Sequence, residues 1–316
     1  MWLLLVVLLA LVYLYRWNQK RLILPNLTSK YVLITGCDSG FGNLAAKQLD
    51  RRGLNVLAAC FTTKGAEDLK KETSRRLQTV ILDVTDSQSV SLTAKWVADI
   101  VGDKGLWGLV NNAGIAIPTA PNEWLTKDDF FKILNVNLLG VVDVTLKMLP
   151  LIRRAQGRVV NVASIAGRFT FCGGGYCMSK YGVESFSDSL RHEMAPFGVK
   201  VCIIEPGFFA TQLADPKLQK ECAKKLWARV SEEIRRSYGQ EYYENYCATA
   251  DKTLSICNTK LSLVPDCMEH ALTAEHPKTR YSAGWDAKLL YLPLSYLPSI
   301  FTDFLIRTMY SIPKKA

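Results

Sequence analysis

Between residues 31 and 205, short apolar runs alternate with longer stretches in which apolar and polar positions are mixed. The runs have the length of strands and are apolar at consecutive positions rather than at every second one. Such runs are typical of parallel strands that are covered on both faces. Six strands are predicted, at 31–35, 55–61, 77–82, 106–110, 158–164 and 200–205. Strands that alternate with helices form right-handed βαβ units, so the pattern predicts an α/β fold with a doubly wound parallel sheet.

The start of the chain differs, because residues 1–15 are almost wholly apolar. Arg16, Lys20 and Arg21 follow this run, whereas no positive charge precedes it and no small-residue cleavage site comes after it. A cleaved signal peptide needs both features, so an uncleaved membrane anchor over 1–24 is favoured. The positive-inside rule then places the flanking charges, and with them the rest of the chain, on the cytosolic side.

The alternation of runs and helices ends near residue 208. Residues 208–285 are interpreted as a helical extension with interspersed Trp and Tyr residues, and residues 286–316 as an apolar, aromatic tail. Pro293 and Pro298 interrupt the tail, so it cannot form one straight spanning helix. Two interpretations stay open: a membrane-associated segment or hydrophobic lid, which the composition favours, and a packed C-terminal extension.

Composition narrows the classes of function. The chain has 316 residues and a formal charge of +10, but its basic residues are scattered, which favours attraction to an anionic membrane surface over nucleic-acid binding. Nine cysteines, an odd number without CxxC spacing, indicate free and mostly buried thiols in a reducing compartment. The three histidines form no metal-binding pattern, so no metal site is predicted.

A glycine-rich segment follows the first strand and opens a helix. It contains Gly36, Cys37, Asp38, Ser39, Gly40, Phe41 and Gly42. Glycines allow a tight turn and close backbone approach, and the helix N-terminus offers N–H donors to a pyrophosphate. Glycines alone would also suit a plain turn, but the strand–helix context favours a dinucleotide-binding loop of a Rossmann-type fold.

Further candidates lie where the other strands end, at the same edge of the sheet. Asp83 could accept a hydrogen bond from an adenine amino group, or serve only as a turn or N-cap residue. The segment Asn111-Asn112-Ala113-Gly114 could hold the sheet edge near the cofactor, or form a plain turn. Phe61 ends the second strand where enzymes that use NADP tend to carry Arg, so NAD is favoured over NADP. Lys64 is the nearest basic residue, and we expect modest discrimination because no acidic residue grips the ribose.

Ser164, Tyr176 and Lys180 form the decisive group. Ser164 ends the fifth predicted strand, and Tyr176 and Lys180 lie four residues apart on the next helix, so they share one face. A free tyrosine is a poor base at neutral pH, but a nearby ammonium lowers its pKa by about 1–3 units. The group therefore predicts general acid/base chemistry on a hydroxyl or carbonyl substrate.

These motifs together resemble the short-chain dehydrogenase/reductase superfamily over about residues 30–285. The resemblance rests on TGxxxGxG at 35–42, NNAG at 111–114, Ser164, Tyr176-xxx-Lys180, and Pro206-Gly207-xxx-Thr211. It implies that Ser164 binds the substrate oxygen, that Tyr176 is the acid/base, and that Lys180 binds the ribose and modulates the tyrosine pKa. It further implies that Asn137 supports the lysine through water and that Thr211 contacts the nicotinamide carboxamide. Ser164 and Tyr176 are 12 residues apart where many members have 13, so the loop between them is expected to be shorter.

The resemblance extends to a subfamily, the microsomal retinol dehydrogenases and their hydroxysteroid-oxidising relatives. It rests on segments such as KYVLITGCDSGFGN, GLWGLVNNAG, GGGYCMSKYGVESFSDSLR and RYSAGWDAKLL. It implies an enzyme of the endoplasmic reticulum membrane that transfers hydride from retinol or a 3α-hydroxysteroid to NAD. The catalytic domain would span 28–285, with 208–285 as its substrate-binding part.

Two alternatives to this function stay open, and so does the assembly state. The first alternative is an NADPH-dependent retinal or ketosteroid reductase. The second is a catalytically idle relative that binds lipid or a partner, which the intact Ser164, Tyr176, Lys180 and Asn137 disfavour. A homodimer is compatible with the resemblance.

Overall fold

The computed structural model describes residues 22–255 and 257–309, together with the isolated positions Leu5, Val7 and Gln19. The predicted anchor over 1–24 therefore lies almost entirely outside the described residues. The strands are β1 (Tyr31–Thr35), β2 (Asn55–Cys60), β3 (Gln78–Ile81), β4 (Gly108–Asn111), β5 (Arg158–Val162), β6 (Lys200–Pro206) and β7 (Arg280–Ala283). The first six strands confirm the predicted ones, because each observed boundary lies within two residues of the predicted boundary.

The strands form one parallel sheet in the order β3-β2-β1-β4-β5-β6-β7. In the register, Leu33 of β1 pairs with Leu57 of β2 on one side and with Leu109 of β4 on the other. The order reverses direction between β1 and β4, and parallel sheets of this kind bind their ligands at that switch point. The predicted doubly wound fold is thus confirmed.

Helices cover both faces of the sheet. They are α1 (Gly40–Arg51), α2 (Thr63–Lys71), α3 (Ser87–Val101), α4 (Lys127–Leu134), α5 (Gly140–Ala155), α6 (Gly175–Met194), α7 (Pro216–Arg229), α8 (Glu232–Tyr238), α9 (Gln240–Ser255), α10 (Leu263–Thr273), α11 (Leu292–Leu294) and α12 (Ser299–Met309). Val32 and Ile34 pack with α1 and α10, whereas Leu33 between them packs with α3 and α5. Alternate strand residues therefore enter opposite halves of the core, which explains why the strands are apolar throughout.

One helix among the described residues, Lys127–Ala155, is long and apolar enough to cross a membrane by length and composition. It includes a π-helical turn at Asn135–Leu139 between α4 and α5. Val144, Met148 and Ile152 on its C-terminal half are buried against the sheet. It is therefore a core helix of the fold.

The C-terminal region contains β7, which the sequence pattern did not predict. This strand has only four residues, and buried and half-buried positions alternate along it, unlike the continuous apolar runs of the other strands. Its backbone pairs with β6, as in the pairing of Ile204 with Tyr281, and extends the sheet at one edge. The predicted tail begins directly after it.

The tail is helical and has two different faces. Ala287 and Tyr291 are buried, and Leu305 packs against the same group. Leu289 and Phe304 are 76% and 71% exposed. One face of the tail is therefore packed, and the other presents large apolar side chains to the surroundings; its association with a membrane stays a prediction.

Candidate active site

The glycine loop connects β1 to α1 and requires glycine at its main positions. Gly36 and Gly40 have φ values of +70° and +61°, which L-residues rarely adopt. A Cβ at Gly42 would lie 2.3 Å from the carbonyl oxygen of Gly36 and 2.5 Å from Nδ2 of Asn112. At Gly40, the nearest atom to such a Cβ is Cγ2 of Thr211, at 4.0 Å. The loop thus packs closely on the sheet side and is open above Gly40, a shape that fits a dinucleotide.

The first turn of α1 supports the same fit. Ser39 precedes the helix but its side chain does not cap it. The Ser39 hydroxyl instead donates to Oε1 of Gln212, at 2.8 Å. A helix N-terminus without a side-chain cap offers N–H donors and a positive dipole to an anion, which suits the pyrophosphate of NAD or NADP. Gly36, Gly40 and the N-terminus of α1 would hold that group.

Two predicted cofactor residues of this loop turn their side chains into the core. Cys37 is fully buried and its thiol donates to the carbonyl oxygen of Ile34, at 3.2 Å. The ring of Phe41 meets that of Phe209 edge-on, with centroids 5.4 Å apart. These two side chains therefore shape the loop from behind, and only their backbone is positioned to face a cofactor.

Asp38 joins the glycine loop to the end of β2. One carboxylate oxygen accepts from the backbone N–H of Phe61, at 2.7 Å. The other accepts from the backbone N–H and the hydroxyl of Thr62, at 2.9 Å and 2.7 Å. A negative charge therefore stands at the strand end where the adenosine ribose of a dinucleotide is expected. The sequence placed Asp38 in the cofactor loop but did not predict that its carboxylate lies at the end of β2, where no acidic residue was expected to grip the ribose.

Asn112 and Thr35 tie the end of β4 to the glycine loop. The Asn112 amide donates to the carbonyl oxygens of Thr35 and Gly36, at 3.0 Å and 3.1 Å. The Thr35 hydroxyl in turn accepts from the backbone N–H groups of Asn112 and Ala113, both at 3.0 Å. The NNAG segment thus holds the sheet edge in shape, as one of its two interpretations predicted. Gly114 follows, and a Cβ there would lie 3.3 Å from Oδ1 of Asn137.

Asn137 lies in the π-helical turn and is buried. Its side-chain oxygen accepts from the backbone N–H of Ile115, and its Nδ2 donates to the Ile115 carbonyl oxygen, both at 2.8 Å. Nδ2 also lies 3.2 Å from Oγ of Ser179, next to Lys180. A π-turn at this point rotates Asn137 into the site, and such turns often mark functional positions.

Ser164, Tyr176 and Lys180 are brought together as predicted. Ser164 lies two residues beyond β5 and caps a short 3₁₀ helix, Ile165–Gly167, where its hydroxyl oxygen accepts from the backbone N–H of Ala166. Lys180 is 7% exposed and donates to the carbonyl oxygen of Val162, at 2.9 Å. Its Nζ is 5.8 Å from the centre of the Tyr176 ring. The end of β5 and the first two turns of α6 thus build one catalytic corner.

Burial governs the pKa values in this corner. Tyr176 is partly exposed as a residue, but protein surrounds its phenol oxygen; this burial raises the phenol pKa to about 12, although the Ser164 hydroxyl acts to lower it. Burial lowers the pKa of Lys180 to about 8. The expected lowering of the tyrosine pKa is therefore not seen, because burial raises it and the effect that acts to lower it comes from Ser164.

Asp83 and Phe61 occupy the predicted edge. Oδ1 of Asp83 accepts from the backbone N–H and the hydroxyl of Thr85, at 2.8 Å and 2.7 Å, which is the turn role of its two interpretations. Phe61 is 65% exposed beside the end of β2. Their contacts with adenosine stay predictions.

The segment after β6 is held by a residue that sequence reasoning missed. Asp286, which is 8% exposed, accepts from the backbone N–H of Phe208 through Oδ2, at 2.7 Å. A Cβ at Gly207 would lie 2.2 Å from the same oxygen, so Pro206-Gly207 and the start of the tail fit together only with glycine. The only sequence signal for this role was an acidic residue inside the apolar stretch GWDAKLL. Thr211 lies beyond this segment, over Gly40.

Two other kinds of site, metal centres and disulfides, are absent from the part of the chain that the structure describes. No group of three or more His, Cys, Asp or Glu residues there could hold a metal ion. The nine cysteines all lie within the described residues, and none of them forms a disulfide.

The fold and this corner define a nucleotide-dependent oxidoreductase. The model of the short chain dehydrogenase family matches residues 30–222, and the chain belongs to that family. Among solved structures, a short-chain dehydrogenase from Streptomyces avermitilis superposes with a TM-score of 0.70 at 27% identity, over 87% of this chain and 95% of the other. An alcohol dehydrogenase from Thermococcus sibiricus, complexed with 5-hydroxy-NADP, gives a TM-score of 0.53 at 26% identity, over 57% and 77% of the two chains.

Sequence relatives are more specific. Human retinol dehydrogenase 16 is 58% identical over the full length of both chains. Rat retinol dehydrogenase 7 is 57% identical, over 97% of this chain and 96% of its own. Rat 17-beta-hydroxysteroid dehydrogenase type 6 is 56% identical over the full length of both chains. The predicted subfamily resemblance is thus confirmed, and the chain is an alcohol-oxidising enzyme of this family.

Proposed function

We propose that this enzyme oxidises the hydroxyl group of a lipid alcohol, retinol or a 3α-hydroxysteroid, with NAD as hydride acceptor. The observation that carries the proposal is the corner of Ser164, Tyr176 and Lys180 beside an intact glycine loop. Full-length similarity to retinol and hydroxysteroid dehydrogenases supports the substrate class.

The proposed roles of the side chains combine their positions with the roles that the family resemblance implies. Ser164 holds the substrate oxygen through its hydroxyl, and the Tyr176 phenolate accepts the proton of the alcohol as the C=O bond forms. Lys180, fixed by the Val162 carbonyl oxygen, binds the ribose and stabilises the phenolate. Asn137 supports the lysine from the neighbouring helix. Bound NAD supplies the acceptor for the hydride of the carbinol carbon and a positive charge near the phenol.

A preference for NAD rests on the charges at the end of β2. The Asp38 carboxylate there would repel the 2′-phosphate of NADP and suits ribose hydroxyls instead. Lys64, the nearest basic residue, forms an ion pair with Asp68. Its charge is therefore already partnered without a cofactor phosphate. We therefore expect stronger discrimination between NAD and NADP than the sequence suggested. Replacing Asp38→Asn should raise kcat/KM with NADP relative to NAD by ~10-fold or more, and an unchanged ratio would contradict this role.

A lipid alcohol is expected to enter beside the loop that precedes Tyr176. The ring of Phe171 in that loop contacts the ring of Phe208 at a tilt of 59°, with centroids 4.9 Å apart, and Phe208 meets Tyr291 of the tail at 5.6 Å. These aromatic rings form an apolar wall between the catalytic corner and the tail. The exposed apolar face of the tail continues outward from it. We infer that the tail lies on the membrane of the endoplasmic reticulum, so that a lipid substrate enters from the bilayer.

The decisive experiment measures initial rates with retinol and with androstanediol, each with NAD and with NADP, in detergent or liposomes. We expect the highest kcat/KM for one of the two alcohols with NAD. A higher kcat/KM for retinal or a ketosteroid with NADPH would favour the reductase. Binding of NADH without turnover of either alcohol in either direction would favour the idle relative.

A further inference from the structure

Two thiols lie against each other beside the catalytic phenol. The sulfur atoms of Cys172 and Cys177 are 3.5 Å apart. Cys172 is partly exposed in the loop after Ser164, whereas Cys177 is 3% exposed in the first turn of α6. Cys177 follows Tyr176 directly in the chain, and both thiols lie close enough to the phenol to affect its pKa. No step of the proposed oxidation uses either sulfur atom.

The surroundings of the pair favour a thiolate on Cys177. The hydrogen bond between the two thiols, together with backbone hydrogen bonds at Phe171, Cys172 and Cys177, lowers the pKa of Cys177 to about 7 despite its burial. The same hydrogen bond and burial raise the pKa of Cys172. Thiolates are the reactive form of cysteine, so a fraction of the pair is nucleophilic at neutral pH. The second thiol lies within reach to complete a disulfide.

We propose that Cys172 and Cys177 form an oxidisable dithiol, which a hydroperoxide converts to a disulfide that inactivates the catalytic loop. The Cys177 thiolate attacks the peroxide oxygen and becomes a sulfenic acid, while the other peroxide oxygen leaves and is protonated to water or an alcohol. The Cys172 sulfur then attacks the sulfenic sulfur, an S–S bond forms, and the departing hydroxide takes the thiol proton as water. Two thiols are oxidised and one hydroperoxide is reduced.

Formation of this bond would move the chain between the two sulfur atoms. A disulfide requires the sulfur atoms to approach to about 2.05 Å, so they must move closer than in the reduced pair. Gly173, Gly174 and Gly175 separate the two cysteines along the chain and are closely packed, since a Cβ at Gly173 would lie 2.3 Å from the carbonyl oxygen of Ala120; the approach of the sulfur atoms should therefore disturb this packing. Tyr176 lies inside the ring that the disulfide would close. A displacement of about 1 Å at a catalytic group can cost ~10²-fold in rate, so ring closure should suppress turnover.

The test uses the full-length protein in detergent, titrated with hydrogen peroxide. Peptide mass spectrometry after alkylation of free thiols should detect a Cys172–Cys177 cross-link. Alcohol oxidation with NAD should fall at least ~10-fold as the cross-link forms and should recover on addition of dithiothreitol. Cys172→Ser should prevent both the cross-link and the reversible loss, and Cys177→Ser provides a second variant. Cys222→Ser, which removes a partly exposed thiol of α7, should behave like the wild type.

Only the activity readout of this inference rests on the proposed function. The outcomes therefore distinguish failure of the dithiol from failure of the proposed function. Absence of the cross-link at peroxide concentrations that oxidise Cys222 would overturn the inference whatever the enzyme's substrate. Equal, dithiothreitol-reversible inactivation of wild type and Cys172→Ser would also overturn it. A cross-link in a protein that turns over no alcohol would support the dithiol and contradict the proposed function.

Discussion

The phenol of Tyr176 lies between Ser164, Lys180 and two thiols, and each neighbour affects its proton in a different way. Burial and the thiols raise its pKa, whereas Ser164 lowers it. Nζ of Lys180 lies 5.8 Å from the centre of the Tyr176 ring, so the charge of either group should influence the other. The chemistry of the site therefore depends on the whole corner.

Removal of the Tyr176 hydroxyl tests this assignment directly. Tyr176→Phe should lower kcat by ~10²–10⁴-fold because no other group is placed to accept the alcohol proton. Affinity for NADH should change little, since the glycine loop is expected to hold most of the cofactor. Tyr181→Phe is a matched control on the same helix, because Tyr181 is 43% exposed. Steady-state rates and NADH fluorescence titration provide the two measurements, and appreciable residual turnover would show that another group is the base.

The burial of Lys180 predicts a pH-dependent stability. Its pKa is about 8 in the folded protein against an ordinary 10.5, so the unfolded chain binds more protons between these values. Stability from this residue should therefore rise as pH increases through that window. The unfolding free energy of the wild type minus that of Lys180→Met should be flat below pH 8 and then rise by up to ~3 kcal/mol. Denaturant titrations of the two cofactor-free proteins measure this difference in unfolding free energy. A difference that falls with pH would contradict the lowered pKa of Lys180.

At the scale of elements, the glycine loop and α1 act as one unit with the end of β4. Their contact leaves no room for a side chain at Gly42, which faces backbone on one side and Asn112 on the other. An alanine there must push α1 away from the sheet edge. The N-terminus of the helix, which is expected to hold the pyrophosphate, would move with it.

Gly42→Ala should therefore weaken NADH binding by ~10-fold or more, with a smaller loss of thermal stability. Arg51→Ala serves as the control, because Arg51 lies in the last turn of the same helix and is exposed. Isothermal titration with NADH compares the two variants. Wild-type affinity in Gly42→Ala would mean that the pyrophosphate does not rely on the position of α1.

The elements that the sequence predicted well are those whose own residues carry the signal. Strands β1 to β6 are apolar at consecutive positions, and that pattern is visible without any tertiary knowledge. Strand β7 and the roles of Asp38 and Asp286 depend on partners 20 or more residues away, as in the contact of Asp286 with Phe208, and no local pattern shows them. The same holds for the π-turn at Asn137, because its neighbours in sequence look like ordinary helix.

On the scale of the whole molecule, the tail connects the catalytic corner to the surface. Its inner face packs on Phe169 and Phe171, so a truncation after Asp286 would also remove core residues such as Tyr291. A truncated protein would therefore test folding as much as lipid access. Substitutions confined to the outer face of the tail test lipid access without removing the packed residues.

Leu289→Glu, Ile300→Glu and Phe304→Glu combined should raise KM for retinol dissolved in liposomes by ~10-fold, while kcat and thermal stability change little. The three side chains are 76%, 70% and 71% exposed, so charge there costs little folding energy. Leu92→Glu with Phe131→Glu is the matched control, since these residues are 63% and 57% exposed elsewhere on the surface. An equal rise of KM in both proteins, or none in either, would contradict a membrane role for the tail.

The orientation of the whole chain is the last property that the sequence predicts and an experiment can decide. Positive charges follow the apolar run 1–15, so the catalytic domain should face the cytosol, where its thiols stay reduced. The sequence contains an N-glycosylation sequon, Asn26-Leu27-Thr28, but this site lies too near the predicted anchor to report orientation safely. Lys71→Asn creates a second sequon with Thr73, at an end of α2 where the Lys71 side chain is 71% exposed. It should remain unmodified in microsomes, as should the control Lys71→Gln. A mass shift of Lys71→Asn that glycosidase removes would place the domain in the lumen, against its flanking charges.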